Sequence, residues 1–383
     1  LRTLEKKGCV EYEDMPRRFL EVCRRKSDYL GQLNRNLGRA TMNLTWKNRF
    51  LESRAAVMTQ FEELAGILEE FSGQMEQALD VTMTWEGELK TALRKRRIDV
   101  EGLLVLQYGQ GRREVFMTAR MTNGRCMTAR DASEAIAKVM KGSFSAARDG
   151  KAIITRNPAS FRFIEDGRYR ILFGSSRVPR DGEEVSGDSY TFKSGLPGQA
   201  ILSLSDGMGS GQAASEDSEK VMELTEQLLG TGFSARSALK LVNTVLLLTG
   251  QNDRPATLDL CLVDLYSGVA EAMKLGAVAS FIMGRDGVEV LESEHVPAGV
   301  MNPVEPVMIS KKLWDGDRIV MVSDGILDAM PGAEKEAAFT DFLAGLPAAG
   351  PQETAEMIMA FALSFDGEPR DDMTVLVGGI YGR

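Results

Sequence analysis

The chain has 383 residues and a formal net charge of −9, and 43% of its residues are hydrophobic. This length suits two or more globular domains, and the acidic balance argues against general affinity for nucleic acid or anionic lipid. The single histidine and the four cysteines, which show no CxxC spacing, argue against zinc sites and against catalysis by histidine or cysteine–histidine pairs.

Helical periodicity dominates residues 1–99. Apolar side chains recur every seven residues at Leu30, Leu37, Leu44, Leu51 and Met58. The spacing then alternates between three and four from Phe61 to Leu79, and a basic run over Arg94–Arg97 ends the segment. An apolar stripe of this length requires a partner surface. The pattern therefore predicts a helical bundle or a helical dimerisation segment.

Short strands replace the helical period near residue 100. The sequence predicts strands over Gly102–Tyr108 and Arg113–Met121 and a helix over Ala132–Lys141. A polar, glycine-bearing stretch that ends near Asn157-Pro158 then marks a boundary. We expect a small mixed α/β unit over residues 100–157 and a separate domain over residues 158–383.

Residues 158–383 combine paired strands with long helices. Hairpins are predicted for Phe161–Ile164 with Tyr169–Phe173, for Ser189–Lys193 with Gln199–Leu204 and for Val278–Met283 with Val288–Leu291. Helices are predicted over Ala213–Leu229, Ser234–Leu248, Glu334–Leu343 and Glu353–Phe365, and further strands over Arg318–Val322 and Met373–Tyr381. This order favours an α+β fold with two antiparallel sheets covered by helices over a doubly wound parallel sheet.

Carboxylates stand at the ends of several predicted strands. Asp206 follows one strand within Ser-Asp-Gly, and Asp324 follows another within a second Ser-Asp-Gly. Asp371 and Asp372 precede the final strand, and Asp188 opens the hairpin that leads to Asp206. One Asp-Gly is usually only a turn, but the repeated motif favours a shared site at one sheet edge. Clustered carboxylates repel one another, and Mg²⁺ or Mn²⁺, which prefer oxygen ligands, would resolve that repulsion.

Other chemistries fit the sequence less well. No GxxxxGK[ST] loop occurs. The glycines of Gly207–Gly211 mimic a dinucleotide loop, but Asp206 would place its charge against the pyrophosphate. Asp259 and Asp264, inside a predicted strand, are interpreted as structural or edge residues, and His295 as a surface loop residue.

This constellation resembles the metal-dependent protein phosphatases of the protein phosphatase 2C type, and in detail a bacterial sporulation phosphatase of that type. The matching motifs are Val185–Asp188, Ser205–Gly211, Ala256–Leu260, Val322–Ile326 and Asp371–Thr374. They span residues 161–383, and the preceding Arg113–Arg120 looks like part of the regulatory region of that phosphatase.

The resemblance implies a β-sandwich flanked by helices, with two Mn(II) or Mg(II) ions at one end. By the family pattern Asp206 bridges the two ions and the Gly207 carbonyl binds one of them. Asp324 and Asp371 bind the other ion, and Asp188 lies beside the cluster, directly or through water.

Two positions depart from the wider family pattern. Many relatives carry a histidine, proposed as general acid, where Met208 stands here, and an arginine where Glu183 stands. The general acid and the phosphate anchor are therefore open, and Arg177 and Arg180 are the nearby candidates for the anchor.

The implied activity is hydrolysis of phosphoserine on a phosphorylated anti-sigma factor antagonist, which releases a sporulation sigma factor. The alternative is a catalytically silent module that keeps the fold. Residues 1–99 would be a regulatory or dimerisation segment, 100–157 a regulatory unit and 158–383 the phosphatase. A homodimer or higher oligomer is expected, and contact with the cell-division machinery would come through the full-length protein.

The location and regulation of the domain also follow from the resemblance. The chain starts at Leu1, and no apolar run approaches the roughly 18 residues that span a bilayer. Because the family member carries an N-terminal block of transmembrane helices, we expect a soluble fragment of a protein that works at the cytoplasmic face of the membrane. We also expect the helices over Ala213–Leu229 and Ser234–Leu248, which follow the Asp206 loop, to be regulatory.

Overall fold

The computed structural model describes residues 10–38, 78–108, 112–147, 150–195, 198–249, 255–292, 297–300, 306–366 and 368–383, together with the isolated positions 47, 54, 58, 61, 65, 66 and 69. The chain divides into two compact units, residues 1–62 and 63–383. Much of the predicted heptad pattern, including Leu44 and Leu51, lies outside the described residues. Leu79 is not helical as predicted, because it forms strand β1 with Asp80.

The described part of the first unit is a short helical segment. A 3₁₀ turn over Tyr12–Asp14 precedes helix α1, Arg17–Val22, and residues 26–38 are helical. The Asn34 side chain accepts a hydrogen bond from the backbone N–H of Val10 and donates one to its carbonyl, at 2.9 and 2.8 Å. None of the helices in the described part of the chain is long and apolar enough to cross a bilayer.

A five-stranded sheet with two helices forms the first part of the second unit. The elements are β1 Leu79–Asp80, α2 Thr82–Lys95, β2 Ile98–Gln107, β3 Arg113–Met121, β4 Met127–Thr128, α3 Ala129–Met140, β5 Phe144–Ala146, β6 Ile153–Ile154 and β7 Ala159–Glu165. The strand order in the sheet is β1-β2-β3-β7-β5, and the pairs are antiparallel. Leu89 and Leu93 of α2 and Ile136 of α3 pack on Val115 and Phe163 of the sheet, so one apolar core holds the unit.

The remaining residues form a sandwich of two five-stranded antiparallel sheets. The strands are β8 Tyr169–Val178, β9 Asp188–Ser194, β10 Gln199–Asp206, β11 Leu258–Asp264, β12 Val269–Leu275, β13 Ser280–Gly284, β14 Gly287–Leu291, β15 Met308–Lys312, β16 Arg318–Val322 and β17 Met373–Gly382. The strand order is β15-β12-β11-β10-β9 in the first sheet of the sandwich and β14-β13-β16-β17-β8 in the second. Leu202, Cys261, Met321 and Leu376 fill the space between the sheets. This arrangement confirms the predicted fold class.

Helices cover the outer face of each sheet. The helices are α4 Gly211–Gly230, α5 Ala235–Thr249, α6 Asp324–Asp328, α7 Lys335–Ala344 and α8 Pro351–Asp366. Val221 of α4 and Leu239 of α5 pack on Leu260 of the first sheet. Phe339 of α7 and Ile358 of α8 cover the second sheet in the same way. Each helix therefore buries one apolar face, as the predicted periodicity required.

Two of the three predicted hairpins form, and the third is wrong. Strand β9 pairs with β10 and β13 with β14, as expected. The residues around Asp166-Gly167 do not form a hairpin, because β7 pairs with β3 and β5 while β8 pairs with β17. A Cβ on Gly167 would lie 2.6 Å from the Leu265 carbonyl oxygen, so the glycine serves a close approach to the β11–β12 turn. Residues 159–165 consequently belong to the β1-β2-β3-β7-β5 sheet and not to the sandwich.

Candidate metal centre

The β9–β10 pair brings two of the predicted carboxylates together. Asp188 is the first residue of β9 and lies directly opposite Asp206, the last residue of β10. The Asp206 backbone N–H donates to the Thr257 hydroxyl at 3.0 Å, and the Ser205 hydroxyl donates to the Thr257 carbonyl at 2.7 Å. Ser205 therefore anchors the end of β10 to the residue that precedes β11, and this contact fixes the position of the Asp206 backbone.

The second Ser-Asp-Gly copy uses its serine in the same way. The Ser323 hydroxyl accepts a hydrogen bond from the Thr374 N–H at 2.8 Å and donates to the Asp372 carbonyl at 3.2 Å. Ser323 is also the N-cap residue of α6, whose first residue is Asp324. The repeated serine thus joins each Asp-bearing strand end to its neighbouring strand.

The two repeated glycines permit close backbone approaches. A Cβ on Gly207 would lie 2.2 Å from the carbonyl oxygen of Ala214 in α4, and one on Gly325 would lie 2.3 Å from the Asp372 carbonyl oxygen. Neither position can carry a side chain without moving the backbone beside the carboxylates. Close packing of the backbone therefore requires the glycine of each Ser-Asp-Gly motif, in addition to any role of that glycine in a turn.

Asp371 and Asp372 have different surroundings. The Asp372 carboxylate is buried and accepts the backbone N–H groups of Arg180 and Gly187, at 2.9 and 2.8 Å. It fastens the loop before β9 to the start of β17. Asp371 is half-buried and accepts the Asp372 N–H at 2.9 Å. Asp371 is thus the more exposed member of the pair, and its role as a metal ligand stays a prediction.

Burial and mutual repulsion dominate the electrostatics of the cluster. Burial raises the pKa of Asp206 to about 9, and the carboxylates of Asp188, Asp324 and Asp371 add to the rise. Burial also raises the pKa of Asp188 to about 7, against the influence of the nearby Thr374 and Ser323 hydroxyls. The pKa of Asp324 is raised by burial and then by Asp371. Simultaneous ionisation of all the carboxylates in this cluster is therefore unfavourable in the folded protein.

The donor set fits a hard divalent cation. Both Asp188 carboxylate oxygens are buried, and within the described part of the chain neither has a hydrogen-bond partner, since the nearby hydroxyls make no bond of normal geometry to them. Buried polar atoms without partners are rare and need an explanation. Among the described residues, no three Asp, Glu, His or Cys side chains already form a group that could hold a metal ion. The predicted ligands are gathered at one edge without being closed around a coordination centre.

The two candidate phosphate anchors differ in what they contact. The Arg177 guanidinium donates to the Asp188 carbonyl at 3.2 Å and lies 5.8 Å from the centre of the Tyr190 ring. Arg180 approaches the site through its backbone N–H, which Asp372 accepts. Glu183 accepts a hydrogen bond from Ser210 at 3.3 Å in the loop after Asp206, and Met208 is 60% exposed. Only Arg177 places a cationic group beside the carboxylates through a described contact.

Helix α4 contacts the backbone that flanks both Asp188 and Asp206. The Ser218 hydroxyl donates to the Gly187 carbonyl and contacts the Ser189 hydroxyl, at 2.7 and 2.8 Å, while Ala214 lies against Gly207. The predicted regulatory helices match α4 and α5 closely in extent. Their regulatory role stays a prediction, but α4 is in contact with the backbone on both sides of the Asp188–Asp206 pair.

Several residues of this region were missed by sequence reasoning. Ser218, Thr257 and the structural role of Asp372 depend on contacts between segments far apart in the chain. The recurrence of serine before Asp206 and Asp324 was the one signal in the sequence that pointed to such anchoring. Asp264 has the structural role expected of it, because its carboxylate accepts hydrogen bonds from Tyr266 and Ser267 in the β11–β12 turn.

Comparison with known proteins identifies the family. A model of the stage II sporulation protein E family matches residues 197–380, and a model of its regulatory domain matches residues 1–140. Stage II sporulation protein E of Bacillus subtilis (strain 168) is 24% identical over 375 residues, and that of Priestia megaterium is 25% identical over 379 residues. These alignments cover 97% and 95% of this chain. The chain spans 45% and 63% of the lengths of the two relatives.

Solved structures agree with this assignment. The chain resembles the structure of the PP2C phosphatase domain and a fragment of the regulatory domain of the cell fate determinant SpoIIE from Bacillus subtilis, with a TM-score of 0.60 and 25% identity. That similarity covers 88% of this chain and 99% of the solved one. The RsbU and RsbW domains of Rv1364c from Mycobacterium tuberculosis share the fold at a TM-score of 0.50 and 19% identity, over 57% of this chain and 62% of that one. The chain belongs to the stage II sporulation protein E family and joins a regulatory region to a phosphatase domain of the PP2C type.

Proposed function

We propose that this chain is a metal-dependent protein serine/threonine phosphatase that hydrolyses phosphoserine on a phosphorylated anti-sigma factor antagonist. The observation that carries the proposal is the group of carboxylates at the strand ends, Asp188, Asp206, Asp324 and Asp371, in which burial and neighbouring carboxylates raise the pKa of Asp188, Asp206 and Asp324. The family supports the substrate class, and release of a sporulation sigma factor would follow from dephosphorylation of that substrate.

Asp206, the Gly207 carbonyl, Asp324 and Asp371 would hold two Mn(II) or Mg(II) ions, with Asp188 beside them. Bound divalent cations would supply Lewis acidity and a water activated at neutral pH. The burial of Asp188 and the anchoring of Ser205 and Ser323 hold the carboxylates in place before a cation arrives. Such preorganisation matters because errors of about 1 Å can cost roughly 100-fold in rate.

Arg177 is the side chain best placed to bind the phosphate group. Its guanidinium has five N–H donors, and the described hydrogen bond to the Asp188 carbonyl uses one of them. An arginine with free donors suits a phosphate oxygen, because charge-assisted pairs of this kind are strong. Met208 offers no proton, so protonation of the serine leaving group falls to a group other than the side chain at that position.

The test is release of phosphate from a phosphoserine-bearing anti-sigma factor antagonist by the full chain. Activity with Mn²⁺ that disappears in EDTA and in the variant Asp206→Asn would support the proposal. A chain that binds Mn²⁺ and the phosphorylated protein without releasing phosphate would instead be a silent binding module. Oligomeric state and contact with the cell-division machinery remain predictions for the longer protein.

A further inference from the structure

A buried ion pair lies inside the sandwich, apart from the proposed ligands. Lys274 of β12 stands directly opposite Asp259 of β11, and their side chains form an ion pair. Each residue is 1% exposed. Moving both charges out of water is costly, and apolar residues of similar volume often stabilise a core equally well. The presence of the pair therefore calls for an explanation other than stability.

The Lys274 ammonium donates its other two hydrogen bonds to the segment that leads into the second sheet of the sandwich. It donates to the Val278 carbonyl at 2.8 Å and contacts the Ser280 hydroxyl at 2.6 Å. Ser280 begins β13, which belongs to the second sheet, and its hydroxyl also donates to Asp259. All three ammonium donors thus have partners, and together they tie β11 and β12 to the start of β13.

The segment that Lys274 holds is a wall of the proposed metal centre. Residues 276–278 line a cavity of about 20 Å³ together with Asp206, Thr257, Ser323 and Asp324. A space of this size holds about one water molecule and no larger group. A shift of the 276–278 segment would therefore change the space available to the Asp206 and Asp324 side chains.

We propose that Lys274 is a positioning residue of the metal centre, which acts by holding the Val278 carbonyl and with it the 276–278 segment that lines the same cavity as Asp206 and Asp324. This inference rests on the proposed function, because it assumes that these two carboxylates are ligands. It assigns to the ion pair the task of holding the ammonium in place, rather than that of stabilising the core.

Two charge-free double variants separate positioning from charge and from folding. Asp259→Leu with Lys274→Met fills the space with apolar groups and removes the donor to the Val278 carbonyl. Asp259→Asn with Lys274→Gln also removes both charges but keeps an amide donor at residue 274. Ser280→Ala is the control within the triad formed by Lys274, Asp259 and Ser280, because it leaves the hydrogen bond from Lys274 to the Val278 carbonyl intact.

The readouts are calorimetric Mn²⁺ affinity, kcat and KM for phosphate release, and the Tm of the metal-free protein. We expect the Leu/Met variant to fold with a Tm near that of the wild type, to bind Mn²⁺ about tenfold more weakly and to lose about tenfold in kcat at an unchanged KM. The Asn/Gln variant and Ser280→Ala should stay within about threefold of the wild type in affinity and kcat.

Equal Mn²⁺ affinity and kcat in the two double variants, whether both normal or both impaired, would overturn the proposal. A Leu/Met variant that does not fold would assign the triad to folding and would overturn it too. In each of these cases the wild-type protein still releases phosphate with Mn²⁺. A wild-type chain without Mn²⁺-dependent release would instead contradict the proposed function itself.

Discussion

The sandwich contains two sets of buried carboxylates with opposite electrostatic surroundings. Asp259 is buried against the ammonium of Lys274, within the same chain. Asp188 is buried at the strand ends with no hydrogen-bond partner for either oxygen among the described residues, and its neighbours are further carboxylates. A buried carboxylate requires a compensating cation or a proton. The chain supplies the cation in the first case, and we propose that a divalent metal supplies it in the second.

The largest contrast between the two sets should appear in turnover. Asp206→Asn removes one negative charge from the proposed bridging position, and we expect phosphate release to fall by more than about 100-fold. Loss of an outer partner of a metal ligand typically costs about 10- to 100-fold, and loss of the ligand itself should cost more. Phosphate release at saturating Mn²⁺ measures the effect, and a circular dichroism spectrum like that of the wild type serves as the control. Wild-type turnover in this variant would remove Asp206 from the mechanism.

Stability should respond in the opposite order. Asp259→Asn leaves the Lys274 ammonium buried without its counter-charge, and we expect the free energy of unfolding to fall by about 3 kcal/mol. Asp206→Asn removes a repelled carboxylate, so the metal-free protein should be at least as stable as the wild type. Urea unfolding of both variants in EDTA makes the comparison. If Asp206→Asn proves the more destabilising of the two, then the strand-end cluster is compensated within the chain after all.

The stability of the metal-free protein should depend on pH because the strand-end carboxyl groups have raised pKa values. The folded-state pKa values of Asp206, about 9, and Asp188, about 7, lie above that of an exposed aspartate, about 4. The folded state therefore retains protons that the unfolded state has released. This contribution to stability is complete below the unfolded pKa and is lost as pH rises through 7 and then 9.

We thus expect the Tm in EDTA to fall as pH rises from about 5.5 to 9.5, and the slope should be smaller in Asp206→Asn. Thermal unfolding across this pH range checks the expectation. A Tm that rises steadily with pH in the metal-free wild type would show that the two carboxyl groups are ionised without cost.

The smallest expected effect is on the KM for the phosphorylated substrate. Arg177→Ala should raise KM for the phosphorylated protein by about tenfold, which corresponds to one charge-assisted hydrogen bond, and should change Mn²⁺ affinity little. Arg180→Ala is the matched control, because its described contact with the site is through its backbone N–H. Steady-state kinetics on both variants decide between them. An equal rise in KM for the two would mean that general positive charge, rather than the position of Arg177, matters.

Much of this architecture could be predicted from local patterns. Residues that alternate or run apolar between turns predicted β3 and β16 at their observed bounds, and the repeated Ser-Asp-Gly predicted that Asp206 and Asp324 lie at strand ends. The Asp166-Gly167 hairpin failed because pairing of β7 with β3 and of β8 with β17 outweighs a local turn preference. Long-range pairing of this kind leaves no mark within a short window of sequence.

The contacts that hold these side chains in position could not be predicted from local sequence patterns either. Lys274 looks like an ordinary polar residue in an alternating strand, and only its register opposite Asp259 places it in the core. Local sequence patterns do not distinguish Asp372 from Asp371, and only the family resemblance separated them, because the role of Asp372 depends on the backbone N–H groups of Arg180 and Gly187. The position of the carboxylates at strand ends could thus be predicted, while the contacts that hold them required the fold.

The central claim is that the strand-end carboxylates are compensated by a divalent cation. The most direct test is a calorimetric titration of Mn²⁺ into metal-free protein, with wild type and Asp206→Asn measured side by side. The account predicts saturable binding by the wild type that is lost or greatly weakened in Asp206→Asn. Equal Mn²⁺ affinity and stoichiometry in the two proteins would contradict it.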